Sequence, residues 1–196
     1  MTVYATDKIR NIAVVGHSDT GKTSLVSAML FDSGAVNRLC KVDDANTTTD
    51  FDEDEHDRKI TINTAVAHFE NRDVKVNLID APGYGIFSTD ALQGLRVADA
   101  ALMMVSAVAG VQVQTEKMWK SAGSFGLPVL FAVNLMDRDR ASYSRVVETF
   151  ACPNSSKIFS MWSARTPTPV SSTVMVTRAL PEVSSSHSAL ISMRPS

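Results

Sequence analysis

Apolar residues fall into short, dense runs along the chain as far as Phe150. Ile12-Ala13-Val14-Val15, Ala98 to Ala107 and Pro128 to Asn134 are nearly continuous, the pattern of strands covered on both faces of a parallel sheet. Ile62 to Glu70 and Val74 to Asp80 are strand candidates joined by the polar turn Asn71-Arg72-Asp73, which predicts a hairpin. Between these runs lie helical patterns at Ser24 to Leu30, Ser88 to Val97 and Val113 to Phe125. Strands alternating with helices predict an α/β fold of three layers, a mostly parallel sheet with helices on both faces, because crossover connections pack there. Functional loops in such a fold gather at the carboxyl ends of the strands.

Two stretches break the alternation. Residues 39 to 59 are polar and acidic, with Asp43, Asp44, Asp50, Asp52, Glu53, Asp54 and Glu55, and predict a mobile solvated loop rather than a core element. A loop of that length inside a compact domain is usually functional. Beyond Phe150 the chain is crowded with Ser, Thr and Pro, has no glycine, and carries a single acidic residue, Glu182. The expected organisation is one folded domain over 1–150, incomplete at its C-terminal side, and a flexible or non-native tail over 151–196.

Composition narrows the classes. A chain of 196 residues holds one substantial core, and its net charge of −2 argues against a broad basic surface, so no direct DNA binding is expected. No apolar stretch reaches the roughly 18 to 20 residues of a membrane span, and Met1 to Arg10 lacks the apolar core of a signal peptide. A cytoplasmic monomer is expected, without membrane contact. Cys40 and Cys152 stand alone, with no ligand spacing around them, and read as ordinary reduced thiols.

The candidate chemistry lies at the predicted strand ends. Gly16-His17-Ser18-Asp19-Thr20-Gly21-Lys22-Thr23 spells G-x-x-x-x-G-K-T after the first apolar run, with Ser24 opening the helical pattern. A loop wrapped round a triphosphate must turn its backbone N–H groups inward, which glycine permits, and the helix beginning near Gly21 aims its positive dipole end at the same anion. Lys22 then reaches the β and γ phosphates, and the Thr23 hydroxyl ligates Mg²⁺. Asp80 ends a strand beside this loop, where its carboxylate can hold Mg²⁺ through a water, and Gly83 offers a backbone N–H to the γ phosphate. Asn134-Leu135-Met136-Asp137 matches Asn-x-x-Asp after a buried strand. Asp137 accepts from the N1–H and N2–H₂ donors that guanine has and adenine lacks, Asn134 meets the ring edge and ties the loops together, and Leu135 covers the base. The competing role for Asp137 is a cap on a helix through Arg138-Asp139-Arg140-Ala141-Ser142. His17 reads as loop filling, while His56 and His68 have no evident partners and read as surface or sheet-edge residues.

These motifs together resemble the GTP-binding domain of the translational GTPases, nearest to elongation factor G and its elongation-factor-G-like paralogues. The resemblance is carried by Gly16 to Thr23, Asp57-Arg58-Lys59-Ile60-Thr61-Ile62, Asp80-Ala81-Pro82-Gly83-Tyr84, Val111 to Glu116 and Asn134 to Arg138, and covers residues 8 to about 150. It implies a P-loop NTPase fold, GTP and GDP as ligands with Mg²⁺, and the ribosome as partner. It also implies that Thr61 is the switch threonine that ligates Mg²⁺ and meets the γ phosphate, with the acidic stretch before it as the first switch. Asp19 stands where the family often has an aspartate near a monovalent cation. The family would continue into a further strand with a Ser-Ala base contact, for which Lys157 to Met161 and Ser163-Ala164 are the local candidates.

Three positions depart from the family pattern. Lys59 stands where glycine is usual, so a stiffer first switch is expected. Leu135 replaces a lysine, which removes a cation beside the base and predicts weaker nucleotide affinity. Tyr84 occupies the place of the histidine that orients the attacking water, and a phenol cannot reproduce an imidazole's protonation. The catalytic set implied is Lys22, Thr61, Gly83 and Tyr84. Three readings stay open: a GTPase, a GTP-binding module without appreciable turnover, and an ATP-dependent enzyme, the last disfavoured by Asp137.

Overall fold

The computed structural model describes residues 3–40, 42, 47–151, 162–163 and 175–176. Five strands form one sheet: β1 (Ile9–Gly16), β2 (Ala65–Asn71), β3 (Val74–Asp80), β4 (Ala100–Ser106) and β5 (Val129–Asn134), in the order β2-β3-β1-β4-β5. Within this sheet the β2–β3 hairpin is antiparallel, while β1 runs parallel to β3 and β4, and β4 to β5. The hairpin turn uses positive φ at Arg72 and Asp73, 47° and 63°, which suits the twist of two antiparallel strands. A separate pair of two-residue strands, β6 (Trp162–Ser163) and β7 (Met175–Val176), is antiparallel. The expected strand Lys157–Met161, Ala164 and Cys152 lie outside the described residues.

Period-two alternation decides which side chains meet which helices. From β1, β4 and β5, Ala13, Val15, Ala101, Met103, Val105, Phe131 and Val133 point to one face. There they meet α3 (Ser88–Arg96), α4 (Val113–Ser124) and α5 (Tyr143–Ala151) through Ala91, Leu95, Met118, Ala122 and Val146. Trp119 tilts against Phe131 with ring centroids 5.2 Å apart. The intervening residues, Val14, Leu78, Leu102, Met104 and Ala132, face the other way and pack on Val26 and Leu30 of α1 (Lys22–Asp32). Each fully buried Leu or Met of this kind contributes about 1.5 to 3 kcal/mol. The three layers therefore follow from the apolar runs.

Element ends shift for identifiable reasons. β4 starts at Ala100 rather than Ala98, because the Ala98 amide donates back to Leu95 O at 3.3 Å and Asp99 to Asn11 O at 2.7 Å. β2 starts at Ala65 rather than Ile62, because the amides of Ile62 and Asn63 both donate to the Glu55 carboxylate at 2.9 Å. Residues 138–142 are not a helix: Arg140 adopts φ 67° and the Ser142 amide donates to Ala107 O at 2.9 Å. The cap of α5 is Ser142, whose hydroxyl accepts from Arg145 N at 3.3 Å, so Asp137 caps no helix there.

The largest correction concerns residues 39–59. Their described part is not a solvated loop, for it contains a short helix, α2 (Glu53–Arg58), and buries Thr47, Thr49, Asp50 and Glu55. Asp52 caps α2 by accepting from Asp54 N at 3.2 Å, and Glu55 reaches back to Asp52 N at 3.3 Å, a reciprocal capping box. His56 is partnered too, its Nε2 lying 2.6 Å from Asp50 O, whereas His68 is exposed on the edge strand as expected. Lys59 ends α2 with φ 55° and ψ 39°. That is the left-handed conformation in which a helix usually places glycine. Lys59→Gly is accordingly expected to stabilise the chain by up to about 1 kcal/mol, since relief of the Cβ strain exceeds the added unfolded-state entropy. Urea unfolding checks it, and a lowered midpoint would contradict it.

Candidate nucleotide-binding site

The loop Gly16–Thr23 joins the carboxyl end of β1, the central strand, to the first turn of α1. Its lysine is folded inward: Lys22 is 6% exposed and its Nζ donates to His17 O at 2.8 Å, with Thr20 Oγ1 donating to the same oxygen at 2.9 Å. Burial pulls the Lys22 pKa down to about 8, against the opposing attraction of Asp80, Asp19 and Asp50. The ammonium stays mostly charged at neutral pH, dry and ready to pair with an anion. Gly21 sits at φ 85° just before α1, and a side chain there would run into the Asn134 amide. Ser18 is half-buried, while Asp19 and Ser24 are exposed on the rim.

Beside the loop, oxygen donors converge from three segments. Asp80, at the end of β3, is fully buried; its Oδ2 accepts from Thr49 Oγ1 at 2.9 Å, and its Oδ1 has no hydrogen-bond partner. Burial pushes its pKa up to about 6, against the pull of the Thr49 and Thr23 hydroxyls and the Lys22 ammonium. Thr61 Oγ1 donates to Asp50 Oδ1 at 2.9 Å and lies 3.0 Å from Thr23 Oγ1. Burial also raises the Asp50 pKa, although the Thr61 and Thr47 hydroxyls act to lower it. Two hydroxyls and an orphaned carboxylate oxygen form a hard, all-oxygen donor set of the kind that suits Mg²⁺ completed by phosphates. No group of three or more His, Cys, Asp or Glu poised for a metal occurs among the described residues.

The remaining expected residues take different positions. Gly83 presses on the phosphate loop: a Cβ there would lie 2.7 Å from Ser18 N and 2.8 Å from His17 C, and on top of the Lys22 ammonium. Tyr84 follows at the start of a short 3₁₀ turn, Gly85–Phe87, and is 36% exposed. Asn134 reaches from β5 across to the phosphate loop, its Nδ2 donating to Thr20 O at 2.9 Å. Leu135, at φ 62°, starts a turn closed by Arg138 N to Leu135 O at 3.3 Å, and Asp137 stands exposed within it. Sequence reasoning counted Asp50 and Glu55 only as acidic loop residues. The signal available was Asp52-x-x-Glu55, a capping-box spacing that marks a helix start.

Comparison with known proteins bears on this geometry. The family model for the elongation factor Tu GTP binding domain matches residues 7–174. The chain belongs to that family. It is similar to the protein named mitochondrial ribosome-releasing factor 2, 43% identical over 142 residues in Debaryomyces hansenii and 43% over 143 in Yarrowia lipolytica. Those matches cover 72% and 73% of this chain but 16% and 18% of the relatives, so the chain spans under a fifth of their length. A solved structure from Thermus thermophilus superposes with a TM-score of 0.70 at 41% identity, covering 73% of this chain and 22% of that one. Membership in this family implies guanine-nucleotide binding.

Two outcomes follow from the geometry. Gly83→Ala should weaken binding of a fluorescent guanine nucleotide by about tenfold, because a methyl group forced against the loop backbone costs roughly 1–3 kcal/mol; unchanged affinity would contradict the close approach. The Asp80 carboxyl has its pKa raised from 3.8 to about 6 on folding, so it stabilises the nucleotide-free chain fully below pH 3.8 and loses that contribution as pH rises through 6. The shift corresponds to about 3 kcal/mol. Asp80→Asn should remove this downward trend between pH 4 and 6.5, read as the difference in urea midpoints between the variant and the unmodified chain.

Proposed function

We propose that this chain is the GTP-binding and GTP-hydrolysing domain of an elongation-factor-G-like translation factor, with the ribosome as its partner. The observation that carries the reading is the junction of Lys22, Thr23, Thr61, Asp80 and Gly83 around one buried oxygen-lined locus. In this reading the γ phosphate lies against Lys22 and the Gly83 amide, and water attacks it in line as its bond to the β–γ bridging oxygen breaks, leaving GDP and inorganic phosphate. The Thr23 and Thr61 hydroxyls, with the Asp80 carboxylate beside them, would hold Mg²⁺, which would supply charge neutralisation to the bound phosphates. The phosphate-loop amides and Lys22 stabilise charge that develops on the transferred group, in a site dry enough to strengthen them. Guanine is read by Asp137, with Asn134 at the ring edge and Leu135 over its face. The exposure of Asp137 leaves its carboxylate free to accept from a base.

A second reading, nucleotide binding with little turnover, is favoured by Tyr84. It is 36% exposed at the place where the family's histidine orients water, and its single hydroxyl lacks the paired ring nitrogens of an imidazole. The names of the curated relatives refer to ribosome release in mitochondria, so the expected cytoplasmic location widens to any compartment with ribosomes. No helix among the described residues is long and apolar enough to cross a membrane. We keep the monomer and the absence of DNA and membrane partners as part of the proposal.

Nucleotide titrations and phosphate release, with and without ribosomes, decide among these readings. GTP should bind at least about a hundredfold more tightly than ATP, since the site's carboxylate is left facing an acceptor by adenine; tighter ATP binding would sink the assignment. Phosphate release should rise on adding ribosomes, and Tyr84→His should raise it further by about tenfold or more, the lower range of a positioned acid–base group. GTP binding without release in any of these conditions would leave the binding-module reading standing alone.

A further inference from the structure

Glu55 is a buried carboxylate that the nucleotide chemistry above does not use. It is 1% exposed, and both of its oxygens are filled by backbone amides. Oε2 accepts from Phe51 N and Asp52 N, each at 3.3 Å, and Oε1 accepts from Ile62 N and Asn63 N, each at 2.9 Å. Phe51 directly follows Asp50, and Ile62 directly follows Thr61. The Thr61 hydroxyl in turn donates to Asp50. One side chain thereby closes a ring that runs from Asp50 through Phe51, Glu55 and Ile62 to Thr61 and back. A capping role accounts for the bond to Asp52 alone; the bonds seven and eight residues downstream add nothing to a helix start.

We propose that Glu55 is the positioning residue of the first switch: it clamps residues 51–52 to residues 62–63, so that Thr61 faces Thr23 and the γ phosphate is told apart from its absence. The inference rests on the reading of Thr61 as the γ-phosphate sensor. Four charge-assisted bonds to backbone hold the two strands of the loop at a fixed separation, and no neutral side chain can accept all four. Glutamine discriminates the two roles. It serves in a capping box as well as glutamate does, but its NH₂ would face two of the four amides, so one half of the clamp opens.

The test compares the unmodified chain with Glu55→Gln, using fluorescent GDP and a fluorescent non-hydrolysable GTP analogue with Mg²⁺, together with amide hydrogen exchange. Glu55→Gln should lower affinity for the analogue on the order of tenfold, the loss of charged hydrogen bonds, while GDP affinity changes by less than about twofold. Retained GDP affinity also shows that the variant folds. In the nucleotide-free unmodified chain the amides of Phe51, Asp52, Ile62 and Asn63 should be protected, and Ile62 and Asn63 further slowed by the analogue. An unchanged ratio of analogue to GDP affinity in the variant, or exchange at solvent rates at these four amides in the unmodified chain, overturns the clamp. Should the unmodified chain bind neither nucleotide, the functional reading fails, while the exchange measurement without nucleotide still decides whether the clamp exists.

Discussion

Charge held away from water at the carboxyl edge of the sheet is the constraint on which the rest of the structure turns. Lys22, Asp50 and Asp80 are all under 7% exposed, and their carboxyls and ammonium are displaced in pKa chiefly by burial. Groups of this kind are tolerable in an apolar surrounding only when partners are fixed in place around them. The strands supply that fixity. β1 and β3 are adjacent and parallel, in register from Ile9 opposite Lys75 to Val14 opposite Asp80, so the phosphate loop and Asp80 emerge from the same edge. Apolar residues on both faces of the same strands keep water from reaching the charges from below. The dryness that raises the Asp80 pKa also makes its orphaned oxygen an effective receiver of a cation.

Much of this was legible in the sequence, and the particular failures have two causes. The dense apolar runs around Val14, Met103 and Phe131 specified buried parallel strands because burial on both faces leaves no room for polar residues. The phosphate loop and Asn134 were readable because their chemistry requires those residue types at that spacing, and the Asn134 bond to Thr20 O joins the two loops as expected. Residues 47–58 differ from the expectation because polarity there does not mean exposure. There the polar groups satisfy one another: Thr47 Oγ1 lies 3.2 Å from Asp50 Oδ2, Thr49 bonds Asp80, and Glu55 absorbs four backbone donors. Composition cannot distinguish a solvated acidic loop from a buried polar network, since both need the same residues. Arg138 to Ser142 failed differently, for helix propensity there is overridden by the Ser142 amide bonding to Ala107 O and by the left-handed Arg140.

The departures from the family pattern gain physical content from the backbone. Lys59 and Leu135 both sit at positive φ, 55° and 62°, so each carries a side chain where the chain turns left-handed. At Lys59 that is the conformation in which a helix end usually places glycine, so the departure bears on backbone strain and not on chemistry. At Leu135 the turn is set by the Arg138 amide bonding to its carbonyl, which a change of side chain leaves intact. Loss of the lysine there removes a cation but not the turn that presents Asp137. Tyr84 is different in kind, because the change is in the chemistry of the side chain and not in the path of the backbone.

The switch segment and the base-reading loop are thereby tied to the phosphate loop in unequal ways. Asn134 bonds to a backbone oxygen of the phosphate loop, a contact independent of what phosphate is present. Thr61 reaches Thr23 only through side-chain hydroxyls, one link in a chain that runs on to Asp50. A hydroxyl contact of 3.0 Å between two threonines is weak beside the four charge-assisted bonds at Glu55. In the proposed switch the Thr23–Thr61 contact is thus the weaker link, while Glu55 holds residues 51–52 and 62–63 together. A rigid segment on a weak contact is the arrangement by which the presence of one phosphate group can bias the position of a dozen residues. In the proposed function this would also separate the two jobs of the site, since reading guanine through Asn134 and Asp137 would not require the segment to be docked.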